Sequence, residues 1–246
     1  MKHYLLNFIV FSSLIILFAG CKDDKDNDPV PVTNGNVYIV FENIVDGQPV
    51  EFGNLSYTNE AGNTYSVDML KYYISNLVFV KFDNSLYPLS NYELIDETFD
   101  TSKTFMVSLP VGDYKKIKFL MGVDSTRSVS GAQAGELDPL FGMFWDWNTG
   151  YVYLKHEGTF IDAFGDTLPL VYHFGGMEAL TLQELNLTLP VSQETRIIKI
   201  SFNLNKLYRN PNTIDFNNNN IHSGGANWIT SIRENVTGVF AVDAVL

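Results

Sequence analysis

Apolar and polar residues alternate along much of this chain in short runs. Val37-Tyr-Ile-Val-Phe41, Leu77-Val-Phe-Val-Lys-Phe82, Thr104-Phe-Met-Val-Ser-Leu109, Lys116-Ile-Lys-Phe-Leu-Met121, Tyr151-Val-Tyr-Leu154, Leu185-Asn-Leu-Thr-Leu189 and Ile197-Ile-Lys-Ile-Ser-Phe-Asn-Leu204 are rich in β-branched and aromatic residues, and each predicts a strand. Turn signals such as Asp46-Gly47, Gly62-Asn63, Pro110-Val-Gly-Asp113 and Gly175-Gly176 separate them. This spacing predicts an all-β fold, an antiparallel β-sandwich of immunoglobulin-like architecture with long loops and little helix. Gly122 to Gly142 reads as one long loop, and ordered loops of that length are often functional. Tyr208 to Gly225 reads as irregular backbone carrying His222, followed by a short helix near Asn227 to Glu234.

The N-terminus breaks the pattern. Lys2 and His3 precede an apolar run from Tyr4 to Phe18, then Ala19-Gly20 and Cys21, the only cysteine. That layout predicts a lipoprotein signal peptide over residues 1–20, with Cys21 acylated and Phe18 where leucine is more usual. A membrane-spanning helix needs roughly 20 apolar residues, and this run is shorter and contains Asn7, Ser12 and Ser13. Residues 21–35, polar and proline-punctuated, read as a disordered tether. The acidic residues just after Cys21 resemble the surface-export signals of Bacteroidetes lipoproteins. The expected location is therefore the outer membrane, facing the periplasm or the cell surface, with the lipid as the sole membrane contact. Residues 36–246 form the remaining domain. With Cys21 consumed by lipid, no disulfide or thiolate metal site is expected there.

Composition adds one exclusion. The formal charge is −12 and no Lys/Arg cluster offsets it, so nucleic acid is not an expected partner. At 46% hydrophobic and 14% aromatic residues, the chain can build a sizeable core.

Candidate chemistry is sparse. No GxSxG elbow, P-loop, HExxH or CxxC occurs, and no catalytic residue is assigned, so the chain is not expected to be an enzyme. Asp124, Glu136 and Asp138 share a loop and could hold a hard cation, although capping and solvating that loop is the more frequent use of such acids. Three histidines follow the signal segment: His156, His173 and His222. On a strand, Val152, Leu154 and His156 share one face, and His173 points opposite to Tyr172 and Phe174. Imidazole suits copper, zinc and nickel, while a lone strand histidine is more often a hydrogen-bonded structural residue. Trp145 and Trp147 lie two apart and would share a strand face, as packing residues or as part of a cofactor site.

The stretch Gly122-Val-Asp124, Leu137-Asp-Pro139, Gly142-Met-Phe-Trp-Asp-Trp-Asn-Thr-Gly-Tyr151 and Glu157-Gly158 resembles the central signature of the MbnP-like copper-binding protein family. Leu70-Lys-Tyr-Tyr-Ile-Ser-Asn-Leu77, His173-Phe-Gly-Gly176, His222-Ser-Gly-Gly225, Asn235 and Gly238-Val-Phe240 extend the likeness over nearly the whole domain. The resemblance implies a β-sandwich with a copper site built from histidines. It also implies a tryptophan oxidised to kynurenine by a dihaem cytochrome c peroxidase-like partner. Carried onto this sequence, it nominates His173 and His222 as ligands, Trp145 or Trp147 for modification, and His156 as a substitute ligand. Asn43 stands where relatives would carry a first-strand histidine, and no histidine neighbours the Trp-Asp-Trp segment. The implied function is envelope copper capture or storage without turnover. The competing expectation is a cell-surface interaction or glycan-binding module with structural histidines.

Overall fold

The computed structural model describes residues 33–146, 150–223 and 226–246. The signal segment, Cys21, nearly all of the tether and Trp147 lie outside the described residues. Alternation builds the first strand, Asn34–Val45, which starts inside the segment read as tether. Every second residue of it, including Val37, Ile39, Phe41, Asn43 and Val45, is buried. The other predicted runs also lie on strands, to within a residue at their ends.

The strands form two sheets. One runs in the order Phe240–Val245, Arg196–Asn203, Asn34–Val45 and Gln48–Pro49, with Thr104–Pro110 also bonded to Asn34–Val45. The other runs Thr181–Val191, Gly112–Met121, Met69–Lys81, Gly150–Ile161, Thr167–Gly175 and Ile221–Ser223, with shorter strands attached. Aromatic rings lock the sheets face to face: Phe41 meets Tyr72 and Phe119 edge-on at 6.2 and 6.1 Å, and Tyr72 stacks on Phe202 at 4.6 Å. Each such ring contributes roughly 1.5–3 kcal/mol through burial. The fold is an all-β sandwich, as the alternation predicts.

Two pairings depart from the expected antiparallel order. Asn34–Val45 runs parallel to Arg196–Asn203, and Thr167–Gly175 runs parallel to Ile221–Ser223. Side chains alternate identically in both ladder types, so the hydrophobic pattern carries no strand direction.

The loops hold more structure than their composition predicts. Gly122 to Gly142 contains a short helix, Ser125–Ser128, capped by the Asp124 side chain, and two 3-10 turns. Core tyrosines pin it: Tyr73 donates to the Glu136 carbonyl at 2.9 Å and Tyr151 to the Leu137 carbonyl at 2.7 Å. His222 sits on the short strand Ile221–Ser223 rather than on irregular backbone. The predicted helix is present as Ala226–Val236, and it buries Trp228, Ile229, Ile232 and Val236 along one stripe. Among the described residues, no helix is long and apolar enough to cross a membrane.

Candidate metal centre

Strand register decides which candidate residues can meet. In the hairpin of Gly150–Ile161 and Thr167–Gly175, Lys155 lies opposite His173 and His156 opposite Tyr172. Tyr172 in turn lies beside His222 on Ile221–Ser223. Partners directly across a ladder share a face, so His156, Tyr172 and His222 face the core while His173 faces the other side of the sheet. The nominated pair, His173 and His222, therefore does not converge, and this corrects the two-histidine site expected from the sequence. The residues are one register step apart on neighbouring strands, and one step inverts the face.

Each imidazole has a distinct setting. His156 is fully buried, with Nδ1 2.5 Å from the Tyr208 hydroxyl and Nε2 3.3 Å from the Ser66 carbonyl. A carbonyl can only accept, so Nε2 carries the hydrogen and Nδ1 receives the one from Tyr208. Both nitrogens are committed, which makes His156 a core residue rather than a substitute ligand. Burial holds it neutral, with its pKa down to about 4. His173 places Nε2 2.7 Å from Glu157 Oε1, a carboxylate diagonally across the hairpin. In the neutral ring this leaves Nδ1 with the open lone pair.

His222 is different. Its Nε2 is buried and has no hydrogen-bond partner among the described residues, and its ring stacks on Trp228 at 4.5 Å and 8°. Tyr172 closes another side at 5.8 Å. Desolvation pushes the imidazole pKa below its ordinary value, so the neutral ring prevails at pH 7. A buried polar atom without a partner is rare enough to call for an explanation, and the indole Nε1 of Trp228 beside it likewise has no partner among the described residues. Sequence reasoning missed Trp228.

Phe144 packs on Tyr151 at 4.9 Å, so Trp145 on the same strand points away from it. Its ring edge covers Gly175, where an added Cβ would meet it at 3.0 Å. Gly175 is two residues beyond His173 on the same strand. Trp147 lies outside the described residues.

Acidic side chains near these residues are otherwise engaged. Asp124 accepts from Asn76 Nδ2 at 2.8 Å, from the Tyr92 hydroxyl and from the Arg127 amide, and Asp138 accepts from the Leu140 amide. Asp124 and Asp138 thus cap the short helical turns of this loop. Among the described residues, no group of three or more His, Cys, Asp or Glu side chains is arranged to hold a metal ion.

With this geometry in view, comparison with known proteins gives a consistent answer. The family model described as MbnP matches residues 34–227. The chain belongs to the MbnP family. Among solved structures, MbnP from Methylosinus trichosporium is similar in fold, with a TM-score of 0.55 at 15% identity, covering 87% of this chain and 99% of that one. A search of curated proteins returned no match.

Within this MbnP-family chain, the first-strand position Asn43 is closed. Its Nδ2 donates to Glu97 Oε2 and its Oδ1 accepts from the Tyr72 hydroxyl, both at 2.7 Å, and Lys103 holds the other Glu97 oxygen at 2.9 Å. The Asn43 amide is thus held in a hydrogen-bonded polar network with Glu97, Tyr72 and Lys103.

Proposed function

We propose that this MbnP-family protein captures or stores copper at the cell envelope without catalytic turnover, with His222 Nε2 as the principal donor. The observation that carries the reading is that unclaimed, buried nitrogen beside Trp228 and Tyr172. An apolar aromatic surround and a neutral imidazole suit a low-coordinate Cu(I) ion, and a formal charge of −12 raises the local concentration of cations.

Competition against a Cu(I) chelator tests this. His222→Ala is expected to weaken copper at least about tenfold, which is about 1.4 kcal/mol, and His173→Ala to act less strongly. His156→Ala should leave copper affinity of the folded fraction unchanged. Equal affinities of wild type and His222→Ala would overturn the reading, and a metal-free protein that is retained on a glycan array would favour a surface-binding module.

Two further expectations belong to the same proposal. A dihaem cytochrome c peroxidase-like partner oxidises Trp145 or Trp147 to kynurenine, so the peptide Met143 to Lys155 from the native host should show a gain of one oxygen and loss of one carbon. The same peptide from a host lacking the oxidase should not, and intact tryptophans in copper-loaded native protein would reject the modification. The protein is an outer-membrane lipoprotein anchored through acylated Cys21. Cys21→Ala should release a folded domain from membranes on fractionation, and persistent membrane association would refute the anchor.

A further inference from the structure

Tyr208 and His156 are used by nothing in the copper reading, yet they form the most enclosed polar pair among the described residues. Tyr208 is 1% exposed and His156 0%. The phenol gives its hydrogen to His156 Nδ1, and the Ser66 carbonyl holds the opposite edge of the ring. Other buried tyrosines donate to poorer proton acceptors: Tyr65 to the Asn205 amide oxygen, Tyr72 to the Asn43 amide oxygen, Tyr73 and Tyr151 to backbone carbonyls. Half-buried Tyr92 donates to Asp124 near the surface. Tyr208 alone among the buried tyrosines gives its proton to a nitrogen base.

A row of rings connects that pair to solvent. Tyr208 meets Tyr65 edge-on at 6.0 Å, and Tyr65 meets Tyr57 at 5.7 Å. Tyr57 is partly exposed, with its hydroxyl accepting from the Glu51 amide at 2.7 Å. These spacings are ordinary aromatic contacts, within which an electron passes readily between rings. The aromatics of this face are easily explained as packing. The imidazole at the buried end is not required for packing, because burying it carries a desolvation cost that phenylalanine at the same place would avoid.

We propose that Tyr208 and His156 form a proton-coupled redox pair, supplied from the surface through Tyr57 and Tyr65, that holds an oxidising equivalent inside the sandwich. The oxidant is a strong one-electron acceptor at the surface, such as a peroxide-derived radical. One electron leaves Tyr208 through Tyr65 and Tyr57 to that acceptor. The phenol O–H bond breaks and its proton forms an N–H bond at His156 Nδ1, giving a neutral phenoxyl radical beside an imidazolium. No atom is lost. Returning one electron sends the proton back to Tyr208 and restores the resting pair. Tyr65 cannot hold the hole in the same way, because the Asn205 oxygen does not accept a proton at these pH values.

Flash oxidation of the metal-free, full-length protein by a photogenerated Ru(III) polypyridyl complex tests the pair, read by electron paramagnetic resonance and transient absorption. A long-lived tyrosyl radical is expected, with a lifetime sensitive to deuterated solvent. Tyr208→Phe should abolish it, and His156→Gln should shorten its lifetime by about tenfold or more. Tyr57→Leu, at the surface and distant from the hydrogen bond, should slow radical formation by about tenfold without shortening the lifetime, which keeps the test decisive if His156→Gln does not fold. A long-lived radical that persists in Tyr208→Phe, or the absence of any tyrosyl radical in the wild type, overturns the proposal. Copper affinity plays no part in these readouts, so the two proposals stand or fall separately.

Discussion

Acidification from about pH 7 to pH 4 is expected to remove about 3 kcal/mol of folding stability through His156 alone. The imidazole is fully buried and its pKa is lowered from 6.5 to about 4, chiefly by desolvation. Between those two values the unfolded chain binds a proton that the folded chain refuses. Stability therefore rises with pH across this window and is lost as pH falls through it. His222, whose pKa is lowered by desolvation, acts with the same sign. Glu93 acts against them, since burial first and then Glu136 raise its pKa, so its folded form takes a proton more readily than the unfolded chain. Asp46, Asp124 and Asp215 are held below their ordinary value of 3.8 and add their losses only below the window. Urea midpoints measured at intervals from pH 7 to 4 read the slope. His156→Gln should start less stable at pH 7 and show a much shallower decline. A wild-type midpoint that stays level across the window would contradict the buried neutral imidazole.

Gly158→Val is expected to cost about 3 kcal/mol or more, near the upper end for overpacking a well-filled interior. A Cβ at this position would stand 2.2 Å from the Ser66 carbonyl oxygen and 2.8 Å from its carbon, and both are backbone atoms that cannot rotate away. The clash falls where the 66–68 segment is stapled to this strand. Ser66 donates to the Thr159 carbonyl at 2.8 Å, Asp68 to the Glu157 carbonyl at 2.7 Å, and the Ser66 carbonyl accepts from His156. Forcing the two backbones apart breaks those bonds together and leaves buried groups unpaired. Chemical denaturation at pH 7 measures the loss, and a variant with the wild-type midpoint would show that the segment can move aside freely.

Local pattern was enough for the elements. Asn34–Val45, Gly112–Met121 and Thr181–Val191 announce themselves because a period of two is written into consecutive residues. The same pattern placed His156 on a face with Leu154, and His173 opposite Tyr172, both as observed, while a register shift interrupts the ladder between Val152 and Leu154. The resemblance to the MbnP family was likewise legible, and the family model matches residues 34–227.

Relations between elements were decided only in three dimensions. The parallel partner of Asn34–Val45 lies 159 residues away in register, and alternation looks the same whichever way that partner runs. Ile221–Ser223 is too short to display any period, so its face, and with it the side of the sheet that His222 occupies, follows from docking beside Tyr172. That single register step separated His222 from His173 and put it against Trp228, a residue no local spacing connects to it. His156 shows the same division. Its sequence position fixed its direction, but whether its nitrogens were open to a metal or closed by hydrogen bonds depended on Tyr208 and Ser66, brought from 52 and 90 residues away. Side-chain direction is a property of neighbouring backbone, whereas the partner a side chain finds there is a property of long-range packing.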